Sequence, residues 1–331
     1  MELLTYLALM GLKSVAVLGF LLFAASYLVL GERKLLARFQ VRYGPNRAGP
    51  WGLLQPIADM IKLLAKEDIV PQGADRKLFL LAPALVATTA LLSFGAVPWG
   101  PELVLGGRKI EGAVADVQVG LLYIFAMSSL SVYGIALGGW ASNSKYSLLG
   151  AVRGAAQMIS YEISLGLSLA PIVMLSGSFS LREIVEAQEK VPFGLIQPVS
   201  LFLFLTSALA EIKRIPFDLP EAENELVAGY HTEYSGMRFG LFFLGEYVNI
   251  IVLGGVVANM FLGGWKGPLL PPLLWFVIKV LAVAFFLIWV RATLPRLRYD
   301  QLMHLGWKLL LPLSVLNVIL TGAVLAAWPK S

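Results

Sequence analysis

The sequence contains no cysteine and only two histidines. A chain without thiolates forms no disulfide and holds no iron–sulfur cluster or zinc–thiolate centre, because those sites need cysteine or several histidines as ligands. His231 and His304 both lie in polar connections rather than in apolar runs, which argues against a haem held by two histidines within the membrane. We therefore predict no metal site and no redox cofactor bound by this chain.

Charged residues are also scarce. They make up 14% of the 331 residues, while 58% are hydrophobic, whereas soluble domains usually carry about 25% charged residues. A bilayer core about 30 Å thick needs about 20 apolar residues for each helical span. The composition therefore predicts an all-α integral membrane protein with a single membrane domain, residues 1–331. The net charge of +5 is attributed to basic loops facing the cytoplasm, and nucleic acid is not an expected partner.

Apolar runs of the required length occur eight times in the sequence. They are Leu7–Leu30, Leu78–Pro98, Val114–Leu137, Met158–Leu175, Phe193–Ala210, Phe239–Leu262, Leu269–Val290 and Leu309–Trp328. We therefore expect about eight transmembrane helices, and an even number places both termini on the same side of the membrane.

The basic residues are distributed unevenly between the two sets of loops. Eighteen Lys and Arg residues lie in the loops after spans one, three, five and seven, against six in the other loops and the C-terminal tail. Cytoplasmic loops carry the excess of Lys and Arg. This predicts that the loops at residues 31–77 and 211–238 are cytoplasmic and that both termini lie outside.

The first cytoplasmic loop contains a repeat with helical spacing. Its apolar members are Leu53, Leu54, Ile57, Met60, Ile61 and Leu64. Such a pattern predicts a short amphipathic helix, lying either on the membrane surface or against neighbouring loops.

Five ionisable residues fall within or at the edges of the apolar runs: Lys13, Asp116, Glu162, Glu246 and Lys279. A charge at the centre of a span costs about 2.5–3.5 kcal/mol on insertion scales. For Lys13 and Asp116 we favour side chains that reach the membrane interface. The other three form either static pairs between helices or a proton relay, and we favour the relay because a desolvated carboxyl group holds its proton to higher pH.

The loop at 211–238 is rich in acidic residues. They are Glu211, Asp218, Glu221, Glu223, Glu225 and Glu233, opposed by Lys213, Arg214 and Arg238. Neighbouring carboxylates raise one another's pKa and titrate together. A solvated acidic loop is the simpler interpretation, but the interleaved apolar residues favour burial. The spacing matches no metal-ligand motif.

Several separated motifs share one family resemblance. They are Gly31–Lys34, Arg42–Arg47, Leu54–Asp59, Ile215–Glu223 and Arg298–Gln301. Together they closely resemble the H-subunit family of bacterial respiratory complex I, the proton-pumping NADH:quinone oxidoreductase, whose mitochondrial counterpart is the first NADH dehydrogenase subunit. The resemblance runs from the first predicted span to the last.

The resemblance implies a membrane subunit that forms part of a quinone channel and couples quinone reduction to proton translocation. By position, Arg33, Arg42, Asp218, Glu221, Glu223, Glu225 and Glu233 should lie along the quinone channel. Glu162, Glu211, Glu246 and Lys279 match the buried ionisable series of the coupling path.

The resemblance also implies a setting in the cell. FMN and iron–sulfur clusters are expected in hydrophilic-arm subunits, which contact this chain together with neighbouring membrane-arm subunits, quinone and membrane lipid. The expected location is the bacterial cytoplasmic membrane.

Two other functions remain as alternatives. The membrane subunit of an energy-converting hydrogenase has similar helices but needs no quinone path. A stand-alone ion-coupled transporter would use Glu162, Glu246 and Lys279 as its ion path, although we find no paired broken helices of the kind that transporters often show.

Overall fold

The computed structural model describes residues 2–105 and 108–327, without the side chains of 2–7, 103–105, 108–110, 223 and 224. The long helices are α1 (Glu2–Phe39), α3 (Arg76–Gly95), α4 (Gly120–Ala141), α5 (Lys145–Ser176), α10 (Gly236–Phe261) and α11 (Pro272–Thr293). The shorter ones are α2 (Gln55–Ala65), α6 (Leu181–Ala187), α7 (Phe193–Ile196), α8 (Pro198–Glu211) and α9 (Glu223–Leu226). The last span joins α12 (Tyr299–His304), a π-helical turn (Leu305–Leu310) and α13 (Leu311–Ala327).

The predicted membrane class is confirmed. Within the described residues, seven helical segments are long and apolar enough to cross a bilayer, and α8 is a shorter apolar helix at the position of the fifth predicted span. Helix α1 has 38 residues, so at 1.5 Å per residue it is roughly 57 Å long and extends well beyond the hydrocarbon core. Its C-terminal end carries Glu32 and Arg33 beyond the apolar run.

The fifth span is broken rather than continuous. Helices α7 and α8 are separated at Gln197, because the following Pro198 disfavours helical backbone at the residue before it. The side-chain amide of Gln197 donates to Thr321 Oγ1 at 2.9 Å, which ties the break to α13. With 14 residues, α8 alone is only about 21 Å long.

The connection between α3 and α4 differs from the sequence prediction. It contains an antiparallel hairpin, Leu103–Leu105 (β1) paired with Arg108–Ile110 (β2), that no pattern indicated. Helix α4 begins at Gly120, so Asp116 lies outside the span and pairs with Arg182 at 3.4 Å.

Small residues bring the central helices together. Gly134 of α4 and Gly245 of α10 both face Val86 of α3, and a Cβ at Gly245 would lie 2.8 Å from Val86 Cγ1. Glycines at such positions allow the close helix approach that is typical of membrane bundles. The result is a buried centre built from α3, α4, α5 and α10.

The polar connections gather at two opposite ends of the bundle. At one end, Arg291 after the seventh span contacts Glu32 after the first, and Asp75 N–H donates to Ala141 O at 3.1 Å. At the other end, Lys13 Nζ donates to the carbonyl of Glu111 at 2.9 Å. Loops after odd-numbered spans thus share one end, as the predicted topology requires.

Helix α2 matches the predicted amphipathic helix. No residue of α2 is buried, and Ile57, Ile61 and Leu64 are 48%, 61% and 65% exposed. These three side chains therefore point away from this chain, as in a helix at a membrane surface, while Leu63 lies against Gly240 of α10.

Candidate functional site

A cavity of about 360 Å³ lies between α1, α2 and α10. Its lining is Leu22, Ala25, Ser26, Val29 and Arg33 of α1, Pro56, Asp59, Met60, Lys62 and Leu63 of α2, and Met237, Phe239, Gly240, Phe243, Leu244 and Tyr247 of α10. Most of these side chains are apolar, and the volume is within the range of ligand pockets, about 300–1,000 Å³. The cavity suits an extended apolar molecule with a small polar head.

The charged groups of this lining lie where α1 meets α2. Arg33 Nη1 is 2.7 Å from Asp59 Oδ2, and Gln55 donates to the other oxygen of Asp59 at 3.0 Å. Lys62 Nζ is 3.8 Å from Asp59. Arg33 therefore lines the cavity, whereas the exposed Arg42 bonds to Gln40 at 2.8 Å and does not line it.

Beside the cavity lies a buried ionic group that we call the Arg214 cluster. Arg214 Nη1 is 2.6 Å from Glu32 Oε1 of α1, and its Nε is 2.5 Å from Glu246 Oε1 of α10. Arg291 of α11 also bonds to Glu32. Two carboxylates and two guanidinium groups balance in charge, a condition for keeping such groups away from water.

The Arg214 cluster touches the cavity wall directly. The Arg214 guanidinium lies 4.6 Å from the ring centroid of Tyr247, and Tyr247 lines the cavity. Sequence reasoning identified Glu246 but missed Arg214 as its partner, and it missed Glu32 and Arg291 as the other members of the cluster. Only the motif Gly31–Lys34 hinted at Glu32.

The acidic loop is folded into the protein rather than solvated. Phe217, Leu219, Leu226 and Tyr230 are all less than 5% exposed, as the interleaved apolar pattern predicted. Their burial carries the neighbouring carboxylates inward.

Asp218 and Glu221 are the two buried carboxylates of this loop. Burial raises the pKa of Asp218, opposed by Arg296 at 2.8 Å. Burial also raises the pKa of Glu221, opposed mainly by Lys213. Tyr230 links Glu221 to Lys213, since its hydroxyl donates to Glu221 at 3.2 Å and accepts from Lys213 Nζ at 3.2 Å. Both carboxyl groups therefore hold their protons to higher pH than exposed carboxyl groups do.

The remaining predicted channel residues lie further out. Glu225 is half exposed and pairs with Arg153 at 2.6 Å, and Glu233 is partly buried in the same loop. Glu223 begins α9, and its side chain falls outside the described residues.

Two carboxylates accept hydrogen bonds from adjacent serines of α4. Ser128 Oγ donates to Glu211 at 2.8 Å, and Ser129 Oγ donates to Glu162 of α5. Glu211 also borders a cavity of about 50 Å³ that includes Asn249, large enough for water molecules. The structure thus brings Glu162 and Glu211 together along one helix.

Lys279 stands apart from the other predicted coupling residues. It lies in the N-terminal half of α11, where its ammonium donates to the carbonyls of Gly264 and Lys266 at 2.8 and 2.7 Å. These contacts fasten the α10–α11 connection and place Lys279 toward the end of the bundle opposite the cavity. Within the described part of the chain, no three His, Asp or Glu residues converge on a metal-binding geometry.

Comparison with known proteins gives consistent matches. A family model described as NADH dehydrogenase matches residues 12–322. An H subunit of NADH-quinone oxidoreductase from Syntrophobacter fumaroxidans, the second of that name, is 68% identical, with 94% of each chain covered. The corresponding second H subunit from Geobacter sulfurreducens is 63% identical, covering 96% of this chain and 97% of its own. The H subunit of the same enzyme from Syntrophotalea carbinolica is 61% identical, with 96% of each covered.

Proposed function

Because this chain belongs to the NADH dehydrogenase family, as a multi-pass membrane subunit of an NADH:quinone oxidoreductase, we propose that the α1/α2/α10 cavity admits quinone from the bilayer. The similarity to H subunits of NADH-quinone oxidoreductase argues against both alternatives, the hydrogenase subunit and the stand-alone transporter. Other subunits of the same complex are its partners.

The proposal rests on one observation, namely that Tyr247 lines the cavity and also lies against the guanidinium of Arg214. Quinone has a long apolar tail and a polar head, which suits a mostly apolar cavity with Arg33 and Asp59 at one edge. The tail occupies the apolar part, and the head moves past the charged edge toward the acidic loop.

Reduction of the quinone needs electrons that this chain cannot carry. NADH supplies two electrons through flavin and iron–sulfur clusters of hydrophilic-arm subunits, and the quinone takes up two electrons and two protons to become a quinol. This chain contributes the tail-binding cavity and titratable groups beside the path. Asp218 and Glu221 are suited to that task because burial raises the pKa of both.

The coupling residues extend inward from there. Glu246 pairs with Arg214, while Glu211 and Glu162 follow along α4. A change in protonation at the acidic loop alters the field felt by these carboxylates. We propose that this series of carboxylates transmits the change in charge that accompanies quinone reduction toward the membrane interior. Lys279 then holds a loop rather than transferring protons.

Two exposed regions support the proposed partners. Val41, Tyr43 and Trp51 are 95%, 80% and 80% exposed in the loop between α1 and α2. Exposed apolar groups of this size favour burial against another protein, here the hydrophilic arm. The partly exposed Glu162 would be costly against lipid, which favours a membrane-arm neighbour beside α4 and α5.

A tryptophan placed in the cavity tests the quinone path. Val29→Trp adds bulk to the α1 wall, while Val15→Trp adds it to a position of α1 that is 67% exposed and outside the lining. For Val29→Trp we expect KM for long-tailed quinone to rise roughly ten-fold, equivalent to about 1.4 kcal/mol of binding free energy.

Oxidation of NADH by ferricyanide should not change in either variant, because this acceptor takes electrons from the hydrophilic arm. An assembled Val29→Trp complex with the quinone kinetics of Val15→Trp would refute the cavity as the quinone path.

A further inference from the structure

The segment that follows the surface helix α2 is held to the start of α10 by one side chain, which both donates and accepts a hydrogen bond. The hydroxyl of Ser235 donates to the carbonyl of Glu67 at 3.3 Å and accepts from the N–H of Ile69 at 3.3 Å. These backbone groups lie just beyond the C-terminal end of α2, so the connection following the helix is held at two points by one residue.

A second contact lies one turn further along α10. Arg238 Nε is 2.9 Å from Asp68 Oδ2, and its guanidinium lies 5.7 Å from the ring centroid of Phe79. The Arg238 side chain is only 18% exposed. A charge pair shielded in this way is stronger than one in open water.

The backbone at this junction is also closely fitted. Gly236 has a φ of +56°, and a Cβ there would lie 3.3 Å from the carbonyl oxygen of Lys66. Only glycine adopts this backbone conformation without strain. The backbone at the C-terminal end of α2 therefore lies close to the backbone at the start of α10.

The same turn of α10 contacts the acidic loop on its other side. The ring of His231 lies 5.2 Å from that of Phe239, and the ring of Tyr230 lies 5.3 Å from that of Phe242. Tyr230 in turn donates to Glu221. Phe239 also lines the cavity, so this turn touches the acidic loop, the cavity and α2 together.

We propose that Ser235 and Arg238 form a tether that holds α2 against α10 and fixes the width of the α1/α2/α10 cavity. Helix α2 has no buried residue yet supplies five of the lining side chains. Besides the packing of Leu63 on Gly240, its position depends on this tether and on the Arg33–Asp59 pair. Both tether residues are positioning residues. The consequence for quinone rests on the proposed function, whereas the tether itself does not.

Hydrogen–deuterium exchange of the assembled complex tests the tether. Helices held by few contacts exchange their amide protons through local opening, at a rate set by the contacts that remain. In Ser235→Ala/Arg238→Gln we expect residues 57–66 to exchange roughly five-fold faster, with α13 unchanged as an internal reference. The matched control is Arg298→Gln, which breaks an exposed 2.9 Å pair with Asp300 remote from α2.

Two further variants strengthen the comparison. Arg238→Lys keeps the positive charge and should restore part of the protection. If the double variant fails to assemble, Ser235→Ala alone removes two hydrogen bonds and serves in its place. Exchange of residues 57–66 at the rate of the Arg298→Gln control would overturn the inference.

The kinetics separate this inference from the proposed function. We expect KM for long-tailed quinone to rise in the tether variants, while NADH oxidation by ferricyanide stays constant. Faster exchange with an unchanged KM would support the tether and refute the quinone path through this cavity. Faster exchange with a raised KM supports both.

Discussion

The Nε of Arg214 lies 2.5 Å from Oε1 of Glu246, and both side chains are more than nine-tenths buried. Arg214 follows directly after α8, whereas Glu246 lies in the middle of α10. The pair therefore fastens the acidic loop to a transmembrane helix. Because Arg214 also bonds to Glu32 at 2.6 Å, one guanidinium joins three parts of the chain.

Loss of this guanidinium should destabilise the protein strongly. Arg214→Gln removes the guanidinium that pairs with both Glu32 and Glu246, and breaking a buried pair in this way costs about 3–5 kcal/mol. We expect little assembled complex, measured as the amount of the complex extracted from membranes. Arg298→Gln, which breaks an exposed pair, should cost less than about 1 kcal/mol. Equal assembly of both variants would show that the Arg214 cluster contributes no net stability.

Stability should also depend on pH through Glu221. Burial raises the pKa of this carboxyl, so between its ordinary and its raised pKa the folded state binds more protons than the unfolded state. The free energy of unfolding therefore falls as pH rises across that interval. Glu221→Gln removes this contribution, and thermal unfolding of the purified complex at a series of pH values should show a smaller fall. A parallel pH dependence in both proteins would contradict the assignment.

The spans were predictable because each is an apolar run of about the length that a bilayer requires. Their internal details were not. The break at Gln197 lies within an apolar run, and the strands of the hairpin after Pro98 have three residues each, too few to show an alternating pattern. Helix α11 begins at Pro272, so Lys279 is closer to its N-terminal end than to its C-terminal end, and its ammonium reaches loop carbonyls.

Several buried charged residues could be identified one by one from the sequence, but their pairings could not. An acidic residue in a span is conspicuous in a sequence, whereas its partner is chosen by packing between distant segments. Glu32 and Arg214 are 182 positions apart, and nothing in their local patterns connects them. Likewise, the cavity is a space between three helices, which no sequence pattern describes.

The membrane orientation can be tested with introduced cysteines, because the chain has none of its own. Leu269 and Val41 are 103% and 95% exposed and lie at opposite ends of the bundle. An impermeant thiol reagent added to intact cells should label Leu269→Cys and spare Val41→Cys. In inverted vesicles, Leu269→Cys should be protected. Labelling of Leu269→Cys in the vesicles but not in the cells would reverse the proposed orientation.

Substitutions at Glu162 distinguish most clearly between a structural role and a proton-transfer role. Its carboxyl accepts a hydrogen bond from Ser129, and Gln at this position can still accept that bond but cannot exchange a proton. We expect Glu162→Gln to assemble, with its iron–sulfur centres reducible by NADH, yet to lose most quinone reductase turnover and proton pumping. Glu162→Asp keeps the titratable group and should retain more of both activities.

Ser129→Ala supplies the matched comparison for Glu162→Gln. It removes the hydrogen bond while leaving the carboxyl group, so a purely structural contact would make it at least as harmful as Glu162→Gln. We expect the opposite order, with Ser129→Ala retaining most turnover because the carboxyl group of Glu162 is kept. Turnover and pumping are measured together in sealed vesicles, normalised to the amount of assembled complex. Full pumping in a well-assembled Glu162→Gln complex would remove Glu162 from the proton path and leave it as a packing contact between α4 and α5.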